Sequence, residues 1–130
     1  EAALRRGTQY AKDRVVFGRP IGANQGLSFQ LAEAKIRLEA ADAVLQKATW
    51  LVDRQEPCGA EANYAKSLCA EAGYYAADVA LQVHGGMGYS KEFHVERYLR
   101  EARLMRIAPI SQEMVLNYVA EHVLGLPRSY

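Results

Sequence analysis

Cysteine and histidine are scarce in this chain, two of the first and three of the second among 130 residues. Neither Cys58 nor Cys69 has a metal-ligand spacing or an adjacent base, so the pair reads as free thiols of a reducing compartment rather than a metal or nucleophile site. No apolar run approaches the roughly 20 residues needed to cross a bilayer, and no signal peptide is visible, which points to a soluble intracellular protein. Charge of one sign is also lacking: the formal net charge is +1, so no basic field points to nucleic acid. A GxGxxG fingerprint is absent, and so is sustained period-two alternation, so neither a nucleotide-binding strand–turn–helix nor a sheet is expected. An initiator methionine is missing too. Glu1-Ala2-Ala3-Leu4-Arg5-Arg6 opens directly in helix formers, as a cut inside a helix would, whereas Gly125-Leu126-Pro127 reads as a natural helix stop and tail.

What is present is helical periodicity on an ordinary globular composition, half apolar and about a quarter charged. Leu27, Leu31, Ala34, Leu38, Ala41, Leu45, Ala48 and Val52 alternate at three- and four-residue steps, a heptad-like stripe that predicts a long helix beginning after Gly22-Ala23-Asn24 and ending near Gln55-Glu56-Pro57. Ala62, Ala65, Cys69, Ala72, Ala76, Val79 and Val83 form a second stripe, whose small residues permit close helix approach. The short connection at Pro57 makes the two helices antiparallel. A helix over residues 1–15, a shorter one near 92–104 and a last one over about 110–124 complete the expectation. The fold class is therefore all-α: an antiparallel, up-down four-helix bundle with one short additional helix, forming a single domain over residues 1–130.

Several short segments carry chemistry-bearing residues, each with a plainer alternative. Arg14 stands at the end of the first helix, where a cation complements the C-terminal dipole, or where its forked guanidinium can grip a pyrophosphate. Gly85-Gly86 ends a long helix, serving either as a simple stop or as backbone N–H groups open to a phosphate. His84, with no second ligand or carboxylate at a useful spacing, reads as a turn residue. Arg97, Arg100, Arg103 and Arg106 are interleaved with Glu96 and Glu101, which makes a salt-bridged, partly solvated helix face the simplest account.

Three stretches taken together resemble the C-terminal helical domain of acyl-CoA dehydrogenases. Tyr10-x-x-x-Arg14-x-x-Phe17-Gly18-x-Pro20-Ile21 with Gln25 is similar to one family signature, and Gln82-x-x-Gly85-Gly86-x-Gly88 to a second. Arg97-x-x-Arg100-Glu101-Ala102 resembles a third. The resemblance covers essentially the whole chain. It implies FAD as cofactor, with Arg14, Phe17 and Gln25 reaching the flavin of a neighbouring subunit and Gln82, Gly85 and Gly86 lining the same cofactor. It further implies an acyl-CoA substrate, an electron-transfer acceptor, self-association as a dimer or tetramer, and location in a bacterial cytoplasm or the mitochondrial matrix. Val16 departs from the family pattern, which often has a hydroxyl there.

Desaturating an acyl thioester requires a carboxylate base held against the weakly acidic α-proton. In many family members it is a glutamate in a pattern like Tyr-Glu-Gly-Thr-x-Glu-Ile. Laid over Ala108-Pro109-Ile110-Ser111-Gln112-Glu113, this pattern puts Ser111 and Glu113 at its flavin-facing positions and Pro109 at the base. Proline accepts no proton, and Glu113, in the first turn of the last helix, is explained by the helix dipole. The catalytic residue is thus unassigned. Either the base stands on a helix preceding Glu1, or the parent protein is a catalytically divergent or non-catalytic homologue. A cofactor-free helical interaction module is the alternative from another class. By itself the segment is expected to be inactive.

Overall fold

The computed structural model describes residues 1–129 and is built on α3 (Gly59–His84). Against it pack α1 (Ala2–Asp13), α2 (Gln25–Asp53), α5 (Val95–Met105) and α6 (Gln112–Tyr118), while α4 (Gly86–Tyr89) is a single turn at its end. Ala3 lies with Ala77 and Ala80, and Tyr10 stacks on His84, so α1 and α3 run in the same direction. Leu31 shares a cluster with Val79 and Val83, Cys69 faces Ala41, and Lys47 pairs with Glu61, which makes α2 antiparallel to α3. Val95 packs by Ala77 and Ala80, and Arg106 pairs with Glu71, so α5 descends as well. The order α1 up, α2 down, α3 up, α5 down is the expected bundle.

Small residues dominate the core. Ala34, Ala41, Ala48, Ala65, Ala72, Ala76 and Ala80 are buried, and the largest side chains with almost no exposure are Val95 and Val115. Gly7 shows how close the approach is: a Cβ there would stand 3.1 Å from Ala80 Cα, which is backbone and cannot swing away. Gly7→Val should therefore push α1 off α3 and cost about 1–3 kcal/mol. A lowered denaturation midpoint of the full-length protein is the check, and an unchanged midpoint would mean that the helices have slack.

Three expectations need correction. The α2 stripe does not stay on one face: Leu45 and Val52 are exposed, and Leu51 is buried instead. On the buried face Ala48 is followed by Leu51, a step of three, where the stripe takes a step of four to Val52, so the face turned to α3 winds round α2 further than the seven-residue spacing does. The helix does end where expected, near Gln55-Glu56-Pro57: Gln55 stands in the left-handed region, φ 59°, and Glu56 N–H donates to Leu51 O. Second, a small sheet exists. Val15–Val16 (β1) pairs antiparallel with Arg19–Pro20 (β2), and Phe17-Gly18 forms the two-residue turn at φ 51° and 77°. Two residues per strand are too few to show any period, which is why the pattern is silent there. Third, the last helix begins at Gln112, capped by Ser111, so Pro109 lies outside it, and its C-terminal half is a π-helical stretch, Val119–Val123.

Candidate cofactor-binding site

The predicted site residues fall into two groups. Arg14 caps α1, its N–H bonded to Tyr10 O, and its own carbonyl accepts from Ile21 N–H across the base of the hairpin. Phe17, at the hairpin tip, is 100% exposed. Gln25 is the first residue of α2, next to Asn24, which donates to Ile21 O at 3.0 Å and accepts from Arg19 at 2.7 Å. The hairpin is thereby braced against the start of α2, and Arg14, Phe17 and Gln25 share one end of the bundle. Gln82 lies in the last turn of α3 and Gly85 caps it at φ 58°, a conformation that favours glycine. Nothing lies within 4 Å of where a Cβ would stand on Gly85 or Gly86. Tyr10 stacking on His84 puts this turn at the same end as the hairpin.

Ser111 and Glu113 form the second group. Ser111 Oγ accepts from Met114 N–H, the N-cap bond of α6. Gln112 fixes this end to α3: its side-chain amide donates to Ser67 O at 3.2 Å and Glu71 Oε1 at 3.1 Å, while Lys66 donates to Met105 O at 2.6 Å. Arg106 joins the same joint through Glu71 at 2.8 Å. Since Gln112 anchors at Ser67 and Glu71, the second group lies roughly 17–22 Å along α3 from Gln82 at ~1.5 Å per residue. Within one chain the two groups do not converge. A hollow of about 150 Å³ is lined by Ser111 and Glu113 with Arg103 and Arg106. A cavity of about 380 Å³ between α1, the hairpin and α2 is lined by none of the eight predicted residues.

Electrostatics separate Glu113 from a base. Hydrogen bonds from its own backbone N–H and the Ser111 hydroxyl hold its carboxyl below the usual range, with Arg103 and Arg106 adding to the effect. The ionised form is favoured, the reverse of a desolvated base poised to gain a proton. Pro109, joined to Ala108 by a cis peptide, is exposed and has no proton acceptor in its side chain. Burial, and then Asp42, raise the Cys69 thiol, which keeps it unreactive. Three of the four arginines in the run are ion-paired: Arg97 with Glu101, Arg100 with Glu96, and Arg106 across to Glu71.

His84 is corrected from a turn residue to the buried last residue of α3, 4% exposed, its Nδ1 2.7 Å from Ala80 O. The Gln112 joint was missed as well. A lone amide between Ser111 and Glu113 carries no periodic signal, and its partners lie more than 40 positions away in the chain. Among the described residues no group of three His, Cys, Asp or Glu is placed to hold a metal, and no helix is long and apolar enough to cross a membrane.

Residues 1–124 match the family described as acyl-CoA dehydrogenase, C-terminal domain. The chain belongs to the acyl-CoA dehydrogenase family. It is 51% identical over 130 residues to acyl-CoA dehydrogenase FadE12 of Mycobacterium tuberculosis, covering 98% of this chain and 34% of that protein. The structure of butyryl-CoA dehydrogenase from Megasphaera elsdenii superposes with a TM-score of 0.91 at 33% identity, over 95% of this chain and 32% of that one. An FAD complex of PigA gives a TM-score of 0.90 at 29% identity, with 95% and 32% covered. This acyl-CoA dehydrogenase domain thus spans about a third of the length of the relatives it matches.

Proposed function

We propose that this domain serves an FAD-dependent oxidoreductase that desaturates an acyl-CoA thioester, contributing part of the flavin site and the core of an oligomer. The observation that carries the reading is Phe17. A bulky aromatic at φ 51° on a hairpin tip, fully exposed, is an uncommon conformation with no packing reward inside the chain. Stacking or covering a planar group from outside would explain it. The other residues fit the same group. Arg14 offers a forked cation for a pyrophosphate, Gln25 and Gln82 offer exposed amides, and Gly85-Gly86 leaves room for close backbone approach. Because the two predicted groups are separated within one chain, each would face a different copy of the cofactor, held at a junction between subunits. The bound flavin would supply the hydride acceptor for the β-carbon.

Neither residue where the family pattern would look is suited to take the α-proton: Pro109 lacks an acceptor, and the lowered pKa of Glu113 makes its carboxylate a weak base. The base is assigned to a helix preceding Glu1 in the parent protein, and the isolated domain would be inactive. Reoxidation requires a separate electron-transfer acceptor, and a bacterial cytoplasm or mitochondrial matrix is the setting in which one would be met. The test is the full-length protein. It should purify yellow, its flavin should bleach on anaerobic addition of a suitable acyl-CoA, and Pro109→Glu should not be needed for that bleaching. A colourless protein that ignores added FAD would remove the cofactor and favour a plain interaction module. Bound flavin that no acyl-CoA bleaches, with no upstream carboxylate near it, favours a divergent or non-catalytic homologue.

Self-association is proposed to use the outer face of α2. Phe29, Ile36, Ala43 and Trp50 recur at seven-residue spacing there, and Phe29, Ile36 and Trp50 are 63%, 68% and 54% exposed. An antiparallel pair of α2 helices would set Phe29 opposite Trp50 and Ile36 opposite Ala43 of the second copy, large against small at the centre. The same register brings Glu33 towards Lys47 and Lys35 towards Asp42 on the two edges.

A further inference from the structure

We propose that His84 is a positioning residue, which locks the Gln82–Gly86 turn onto the end of α1 so that the two segments near the flavin are held as one body. The inference rests on the flavin reading above. His84 stacks on Tyr10 with ring centroids 4.2 Å apart and planes 25° apart, and it meets Phe93 edge-on at 5.3 Å. Tyr10 and Phe93 close the triangle at 5.6 Å and 86°. The three rings come from α1, α3 and the 3-10 turn Lys91–Phe93, so one cluster joins three segments.

Its place in the chain gives the cluster its role. Tyr10 is one helical turn before Arg14, and its carbonyl accepts the Arg14 N–H at 2.9 Å; Gly85 N–H returns to Gln82 O at 3.0 Å immediately beyond His84. The ring pair therefore sits at the root of both segments. A carbonyl only accepts, so the 2.7 Å contact with Ala80 O requires Nδ1 to carry the hydrogen. This bond fixes the ring plane to α3, and a leucine of similar bulk offers no equivalent. Beneath it the turn folds back so tightly that a Cβ on Gly88 would stand 3.0 Å from His84 Cβ. A tilt of the imidazole is thus passed to Gly85–Gly88 on one side and to Tyr10, hence Arg14, on the other.

The experiment is a set of variants in the full-length protein, read by FAD dissociation constant and melting temperature. His84→Ala and Tyr10→Leu should each weaken FAD binding roughly tenfold, the scale of one ring pair with a hydrogen bond. The double variant should be little worse than either, since both remove one shared contact. His84→Phe keeps the stack but not the hydrogen bond to Ala80 O, so it should recover part of the affinity that His84→Ala loses. Leu51→Ala, buried towards the other end of the bundle, is the control: it should lower the melting temperature and leave FAD affinity unchanged. If His84→Ala behaves like Leu51→Ala, or if the effects of His84→Ala and Tyr10→Leu simply add, the positioning role is overturned. Should His84→Ala fail to fold, Tyr10→Leu and His84→Phe decide the matter on the same scale. A wild-type protein that binds no FAD overturns the flavin reading and this inference with it; wild-type binding with unaffected variants overturns this inference alone.

Discussion

Arg14→Ala in the full-length protein is expected to yield a folded molecule that has lost most of its FAD. The guanidinium is exposed at the end of α1 with no carboxylate paired to it among the described residues, so its removal breaks no ion pair within the domain. A charge-assisted hydrogen bond to a phosphate is worth about 1.5–3 kcal/mol, so affinity should fall by roughly one to two orders of magnitude. Arg14→Lys should rescue only part of it, because an ammonium restores the charge without the fork. Flavin absorbance per protein after desalting measures the effect, and far-UV circular dichroism guards against misfolding. If Arg14 serves only the helix dipole, both substitutions will leave occupancy intact and shift stability by no more than about 1 kcal/mol.

Ile36→Glu is expected to take the oligomer apart. On the free chain this position is open to water, so a carboxylate there costs the monomer little. In a symmetric α2 pairing the substitution is made twice and buries an unpartnered charge each time. Each such charge costs on the order of 3–5 kcal/mol, which raises the dissociation constant by several orders of magnitude. Light scattering across a dilution series should show the mass falling to that of a smaller species while the helical signal persists. Ala43→Trp, opposite Ile36 in the proposed register, should also disrupt, by overpacking. An assembly indifferent to Ile36→Glu would move the interface off this face.

The sequence made the helices legible because their signal is local. Leu31, Ala34, Leu38 and Ala41 mark the α2 core face by spacing alone, and Ala65, Ala72, Ala76 and Val79 do so for α3. The same reasoning failed where a feature depends on partners far along the chain. His84 is buried by Tyr10, 74 positions earlier, and nothing in its neighbours Val83 and Gly85 announces a stacking ring. The hairpin failed for the opposite reason: Val15–Val16 and Arg19–Pro20 are too short to carry a period, and Phe17 at positive φ is an uncommon choice for such a turn. For the site, the family motifs marked which residues to examine, and the structure added their separation into two groups along α3. The chemistry of Pro109 needed no coordinates, since a side chain without an acceptor is the same in any fold.

The alanine-lined core has a thermodynamic consequence. Small side chains bury little apolar area when the bundle closes, while Phe29, Ile36 and Trp50 remain outside it. If these larger groups are covered by another copy, much of the hydrophobic driving force belongs to association, and the heat-capacity change on denaturation divides between the two events. Folding and assembly then become coupled equilibria, and the melting temperature of this domain is a function of its concentration as much as of its sequence.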